Sequence, residues 1–460
     1  KGCLSARFKL FNALNEPTDI LYVSYCDFDT DSQTRPAPFV NALKKCFTVD
    51  GVSDYPNSVI DYEYHNKETA FKKVLISLRQ NREKLADLTQ PMEEYQRKAL
   101  QYLDFNKVIT HIPNGKELFF KGNAYSVTKI ESFYNCPFSH FVSSGLGLKE
   151  KETGQFKVND FGNILHSVFE KFVNKIINKE KAEEQAAEEI FDEVINDEKY
   201  IAFKNDFKFD FLSENLKKET VKMCMSISEQ IANSDFFPIK TEFRFGFDAD
   251  NMLTMECLGK TLSLKGVIDR IDAYRENYMI IDYKSGKANF SESKLYLGIK
   301  LQLFVYALAL KKYFKGTPVA CFYFKVSDDY NESDKKRFIG RVVADKELIG
   351  SIDKDFNTKG KSKLFSASLK KDGTLSNIGK SAITREQFDA CAQYALALIT
   401  KANKLMQRGY VAVNPIDKAC TYCLSKNLCN FNDTLIFSPR KEVQISAEDI
   451  SRCMEENSNA

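Results

Sequence analysis

The stretch Leu264-Lys-Gly-Val-Ile-Asp269-Arg-Ile-Asp272-Ala-Tyr-Arg-Glu-Asn-Tyr-Met-Ile-Ile-Asp282-Tyr-Lys284 decides how this 460-residue chain is read. Both halves run apolar or alternate on the two-residue period of strands, and Arg275-Glu276 between them is placed for a tight hairpin turn. Such a turn sets Asp269 opposite Asp282. Directly opposed carboxylates destabilise a sheet unless something neutralises them, and a divalent cation does so. Lys284 follows Asp282 by two residues, which puts it on the same face. Two carboxylates with a lysine beside them suit metal-assisted phosphodiester hydrolysis. The carboxylates hold Mg²⁺ or Mn²⁺, the cation generates hydroxide and neutralises the phosphate, and the lysine orients the nucleophile or stabilises developing charge. The plainer alternative makes Asp269 and Asp282 strand-end residues paired with Arg270 and Lys284.

Outward from this hairpin, the next helix carries Gln302 and Tyr306 at i and i+4 on one face, and a polar Gln302 between Leu301 and Leu303 asks for a partner. The pattern predicts that helix from about 293 to 314, stopped by Gly316-Thr-Pro318, with strands at 243–247, 319–326 and 339–343. Thr384 and Gln387 cap a last helix ending at Gly409, and 357–380 reads as a loop whose Lys359, Lys361, Lys363, Lys370 and Lys371 form the densest basic stretch outside regular structure. Upstream, Thr128 and Glu131 have capping-box spacing and start a helix ending near Cys136-Pro137. After a Gly-containing linker at 145–154, Gly162 opens a long amphipathic helix, and another runs over 212–232. His166 on the first of these is the one histidine whose neighbours give it chemistry; His65 and His111 stand alone. The consequence is an α/β chain with a mixed sheet flanked by helices.

Cys136 and Cys420-x2-Cys423-x5-Cys429 have ligand spacing, and together they would clasp the two ends of this block. Zinc in a four-cysteine tetrahedron and a four-iron cluster fit that spacing equally well. Cys224, Cys257, Cys321 and Cys391 sit in apolar periodic segments and read as small buried hydrophobes. Twelve cysteines in this length are too sparse for a disulfide scaffold, which favours a reducing cytoplasmic setting. Lys plus Arg total 66 against 63 for Asp plus Glu, so a nucleic acid would have to be held by local basic patches. No stretch reaches the roughly 20 apolar residues of a membrane span. The length calls for more than one domain, and the opening Lys-Gly-Cys-Leu-Ser, with neither Met nor a signal pattern, reads as the start of a piece of a longer protein.

Six segments taken jointly resemble the RecB-family branch of the PD-(D/E)XK nucleases, and within it the AddB-type subunits of helicase–nucleases. They are Ser126-Val-Thr-Lys-Ile-Glu131-x4-Cys136-Pro-Phe138, Gly162-x3-His166, Gly266-Val-Ile-Asp269-Arg-Ile-Asp272, Asp282-Tyr-Lys284-Ser-Gly286, Leu301-Gln302-x3-Tyr306 and Asn414-Pro415-x4-Cys420-x2-Cys423-x5-Cys429-x-Phe431. The resemblance implies a restriction-endonuclease-like fold over 121–440 and a Mg²⁺-dependent single-strand DNA exonuclease acting in recombinational repair beside an AddA-like partner. It implies that His166, Asp269, Asp282 and the Tyr283 carbonyl hold the metal. Lys284 would serve the water, while Gln302 and Tyr306 support the site. It also implies a [4Fe–4S] cluster on Cys136, Cys420, Cys423 and Cys429. Residues 1–120 look like a remnant of a helicase-like region, with Arg35-Pro-Ala-Pro38 as the best match and no Walker A motif, and 441–460 read as a tail. Two rival readings are a stand-alone RecB-like exonuclease of the CRISPR-associated type and an inactive DNA-binding scaffold.

Overall fold

The computed structural model describes residues 28–29, 32–33, 39–40, 45, 110–120, 124–149, 158–201, 207–247, 253–257, 260–286, 288–325, 337–376, 378–429 and 439–458. The chain divides into two compact units, Lys1–Arg97 and Lys98–Ala460. In the first, Phe28–Asp29 and Ser32–Gln33 pair as short antiparallel strands. The expectations for Arg35–Pro38 and His65 fall outside the described residues.

The second unit is built on the mixed sheet that the alternating pattern calls for. Its centre is a long strand, β4 (Lys260–Tyr274), one of a series with β1 (Ala124–Ser126), β2 (Phe237–Phe245), β3 (Leu253–Cys257), β5 (Asn277–Lys284), β6 (Thr317–Lys325), β7 (Phe338–Val343) and β8 (Ala382–Ile383). The order across the sheet is β8-β7-β6-β5-β4-β1, with β2 and β3 also pairing to β4. β4 is long enough to serve two partner sets: its first half pairs with β1 and β3, its second half with β2 and β5. The β4–β5 hairpin turns at Arg275, which takes φ 53, and runs in the register expected from the sequence, Arg270 opposite Ile281 and Tyr274 opposite Asn277. β5 and β6 are parallel, so the chain between them must cross over, and a helix makes the crossing.

The longer helices among the described residues are α1 (Val127–Asn135), α2 (Val158–Ile177), α3 (Glu184–Ile195), α4 (Phe207–Ala232), the crossover α5 (Gln302–Tyr313), α6 (Arg385–Gln407) and α7 (Ala447–Ser458). α2 packs on β2 and α5 against β6, so helices cover the sheet, and β6 is buried from Pro318 to Phe324. Cys224, Cys321 and Cys391 lie in this core as expected; the Cys257 side chain lies outside the described residues.

Three local expectations change. The helix expected over 293–314 is two helices, Glu292–Tyr296 and α5, because Gly298 takes φ 80 with its α-carbon against the Tyr134 ring; a Cβ there would stand 2.4 Å from that ring. Ser126, not Thr128, caps α1, its hydroxyl accepting from the Lys129 amide at 3.4 Å. The segment after Gly409 contains a further helix, α7, whose Ala447 and Ile450 are buried against the body of the unit. The Thr384–Gln387 capping box of α6 forms as read.

Candidate functional site

The hairpin register sets the geometry. With Arg270 opposite Ile281, the next positions outward are Asp269 and Asp282, and the Tyr283 amide donates to Asp269 Oδ2 at 2.7 Å. Both carboxylates are almost wholly buried. The pairing of Asp269 with Arg270 does not occur. Arg270 points to the other face, where its fully buried guanidinium binds both carboxylate oxygens of Asp272 and the Gln230 amide oxygen at 2.9 Å. Arg270 is thereby spent on Asp272, and Asp269 is left to other partners.

α2 supplies the first of these. His166 Nδ1 lies 3.3 Å from Asp269 Oδ2 and 3.9 Å from Glu242 Oε1. Glu242, which sequence reasoning did not select, comes from the middle of β2. Thr241 opposite Arg270 and Phe243 opposite Ile268 set Glu242 across from Asp269. It takes φ 44, a left-handed conformation that a non-glycine residue holds only at a cost. One ligand atom each from His166, Glu242 and Asp269 meet within 4.8 Å of one another, the first two residues opening to solvent along a cavity lined by Asp160, Asn163, Ser167, Glu170 and Tyr200. The signal for Glu242 was its place in an alternating strand, but β3 intervenes between β2 and β4 in the chain and hid the register to β4.

α5 supplies the other side. Gln302 Nε2 donates to Asp282 Oδ1 and to the Tyr306 hydroxyl, each at 2.8 Å, which answers why a polar residue sits between two leucines. Lys284 Nζ stands 2.6 Å from Asp282 Oδ2 and donates to Gln302 Oε1 at 3.3 Å. The start of α5 is fixed from α1: Glu131 Oε1 accepts the Leu301 amide at 2.7 Å and the Gln302 amide at 3.1 Å. Glu131 therefore caps a distant helix instead of boxing its own. A second lysine, Lys300, stands beside Lys284, both ammonium groups lying 5.2 Å from the Tyr323 ring centroid.

Electrostatics follow from burial and crowding. Burial, then the Asp269 charge, pushes Asp282 up to about 7. Burial favours a neutral His166, but hydrogen bonds to Asp269 and Glu242 outweigh it and carry the imidazole up to about 10. Burial likewise opposes charge on Lys284, and the Asp282 carboxylate overrides it, so its pKa rises. Lys284 is thus a held cation and not a proton acceptor. The arrangement has the donors a hard divalent cation takes, carboxylate oxygens and an imidazole, and carries crowded acid groups that such a cation would relieve.

The four cysteines come together from far apart in the chain. Cys136 is buried and Cys420, Cys423 and Cys429 half-buried, all as free thiols. Burial, then the neighbouring Cys136, Cys423 and Cys429, raises the Cys420 thiol. Backbone hydrogen bonds draw the segments together, Ile416 to Asn135 at 3.0 Å and Phe138 to Ala412 at 3.2 Å, and the Arg440 guanidinium reaches the Tyr134 carbonyl. The lysine-rich segment expected as a loop begins in a short helix, Lys354–Lys359, and Lys359 and Lys363 both lie 2.8 Å from Asp355 on it, so part of the segment's charge is neutralised locally.

A family model described as the PD-(D/E)XK nuclease superfamily matches residues 124–430, about two thirds of the chain. Proteins named as the B-type subunit of an ATP-dependent helicase/deoxyribonuclease are similar over nearly all of it. The one from Alkaliphilus oremlandii (strain OhILAs) is 27% identical over 99% of the chain and 45% of its own length. That of Alkaliphilus metalliredigens (strain QYMF) is 26% identical over 96% and 43%. That of Clostridium perfringens (strain 13 / Type A) is 26% identical over 93% and 42%. The chain spans less than half the length of these relatives. Among the described residues no helix is long and apolar enough to cross a membrane.

Proposed function

Because the chain belongs to the PD-(D/E)XK nuclease superfamily, we propose that it is the nuclease part of a cytoplasmic DNA helicase–nuclease, trimming single strands as an exonuclease during recombinational repair beside an AddA-like motor subunit. The observation that carries the reading is the meeting of His166, Glu242 and Asp269 within 4.8 Å, next to the Asp282–Lys284 pair.

His166, Glu242, Asp269, Asp282 and the Tyr283 carbonyl would hold Mg²⁺ or Mn²⁺. When bound, the cation supplies Lewis-acid charge against the phosphate and brings water closer to ionisation. The chain's own groups do the rest. The Tyr283 amide fixes the Asp269 carboxylate, and Gln302 fixes Asp282 by its other oxygen. Lys284, held protonated by Asp282, orients the attacking water or meets the charge that develops on the phosphoryl oxygens. Tyr306 locks the Gln302 amide in the orientation that gives its N–H to Asp282 and its oxygen to Lys284. His166 must release a proton before it can act as a ligand, so cation binding is coupled to proton release.

Cys136, Cys420, Cys423 and Cys429 would hold a [4Fe–4S] cluster; the mutual approach of four thiols from segments 284 residues apart supports it. Such a cluster joins the ends of the nuclease unit and serves its folding.

The experiment is cleavage of an end-labelled oligonucleotide by the chain assembled with its motor subunit, with Mg²⁺ or EDTA, for wild type and Lys284→Ala, beside an iron and sulfide assay on protein purified without oxygen. Metal-dependent loss of single nucleotides or short pieces, abolished by the variant while Mn²⁺ still binds, is expected. Wild-type protein that cuts no DNA with either metal refutes the nuclease reading. Colourless protein with stoichiometric zinc refutes the cluster.

A further inference from the structure

The strand that brings Glu242 to the centre continues into a second group of side chains. Arg244 follows two residues on and is exposed, Phe245 is buried, and the chain then leaves the sheet at Gly246. Gly246 takes φ 78, and a Cβ there would sit 2.0 Å from the Leu264 carbonyl oxygen, so only glycine lets the chain turn this close to β4. Phe247 emerges from the turn with 42% of its surface exposed. The Arg244 guanidinium lies 4.4 Å from the Phe247 ring centroid, and the Lys265 ammonium, reaching over from β4, lies 5.4 Å from it. Among the described residues no carboxylate pairs with Arg244 or Lys265. The ring is half exposed beside two cations with no carboxylate partner among the described residues.

We propose that Phe247, with Arg244 and Lys265, is a stacking platform for a base of single-stranded DNA, a few nucleotides from the scissile phosphate; the proposal rests on the nuclease reading above. Every base has a π-face, so a single aromatic ring holds strands of any sequence, and cations beside it meet the phosphates. A cation is held to an exposed ring more weakly than a stacked base, so an arriving base displaces one cation from the ring and the phosphate next to it takes up the charge. Position supports the same occupant. Phe247 lies five residues beyond Glu242, at most roughly 17 Å at ~3.3 Å per extended residue, the length of at most about five nucleotides. Protein docking calls for a contiguous apolar patch, not one ring between charges. Among the described residues, Tyr422, Leu424 and Leu428 on the cysteine segment are exposed apolar residues close together in the chain.

The test measures binding of a fluorescent oligothymidylate in EDTA, where no cleavage intervenes, by the complete chain and by Phe247→Ala and Phe247→Trp. Phe247→Ala should weaken binding about 5- to 100-fold, with Phe247→Trp restoring it and an abasic oligonucleotide of equal length binding all forms alike. Arg244→Ala with Lys265→Ala should flatten the log–log salt dependence by about 0.7 for each phosphate no longer neutralised. Hydrolysis of p-nitrophenyl thymidine 5′-phosphate, too short to reach the ring, should be unchanged in Phe247→Ala. Oligothymidylate binding equal in wild type and Phe247→Ala, or abasic binding that falls just as far, overturns the platform. If wild type hydrolyses no phosphodiester while the binding difference persists, the nuclease reading fails and the platform stands.

Discussion

Replacing Asp282 by Asn tests the crowding at the centre, because the two side chains share a shape and differ by one charge. The Gln302 hydrogen bond to Oδ1 survives the change. In the unfolded chain this carboxyl titrates at its ordinary 3.8, whereas in the fold it titrates at about 7, raised by burial and by Asp269. The folded state therefore binds the proton more tightly. Without metal the penalty is absent below 3.8, grows through the window and is complete above 7. At about 1.36 kcal/mol per pH unit the full penalty is ~4 kcal/mol, and readjustment of Asp269 and His166 lowers the expected gain for Asp282→Asn to about 2–4 kcal/mol at pH 8. Urea unfolding in EDTA at pH 5, 6, 7 and 8 reads it: the variant should be the more stable at pH 8, with its advantage shrinking by roughly 1.4 kcal/mol for each pH unit below 7. Mg²⁺ at about a thousand times its dissociation constant should cancel or reverse that advantage, since it adds about 4.1 kcal/mol to wild type. A pH-independent difference, or a variant less stable at pH 8, refutes the argument that Asp282 is a strained carboxylate awaiting a cation.

Other residues extend the test. Glu242→Gln should weaken Mn²⁺ binding by about 10- to 100-fold in calorimetry, and unchanged affinity would place Glu242 outside the metal set. Glu131→Ala strands two amides at the start of α5 and should cost about 1–3 kcal/mol in urea unfolding together with a lower kcat; reduced stability with kcat intact would confine Glu131 to the fold. His140 is fully buried against Phe119 and Phe133, neither ring nitrogen has a hydrogen-bond partner among the described residues, and burial lowers its pKa to about 4. The unfolded chain takes up this proton near 6.5 and the folded one only near 4, so wild type loses up to ~3 kcal/mol as pH falls through that window. His140→Phe should be about 1–3 kcal/mol more stable at pH 7 and free of that loss, and matched pH slopes for the two proteins would count against it.

What the sequence disclosed, and what it hid, follows the reach of each interaction. The hairpin of Asp269 and Asp282 was legible because a two-residue turn fixes register locally, and Gln302 because a polar residue among leucines marks a buried partner. Glu242 was hidden since another strand, β3, lies between β2 and β4 in the chain, so no local rule sets their register. Glu131 misled: its spacing from Thr128 imitates a box, yet the carboxylate serves a helix 170 residues away. The lysines at 359 and 363 looked like free charge because Asp355, which pairs with both, declares itself only when a short helix brings it round.

α1 also acts as a lever. Glu131, in its middle, holds the first amides of α5 and through them Gln302 and Asp282, while Cys136 at its end, only about 7–8 Å further along the axis, is gripped with the other thiols and the backbone of 412–416. One short rod thus transmits the integrity of the cysteine clasp to the alignment of the acidic centre. A shift at the Cys136 end would reach the acidic centre through Glu131, little more than one turn of helix away.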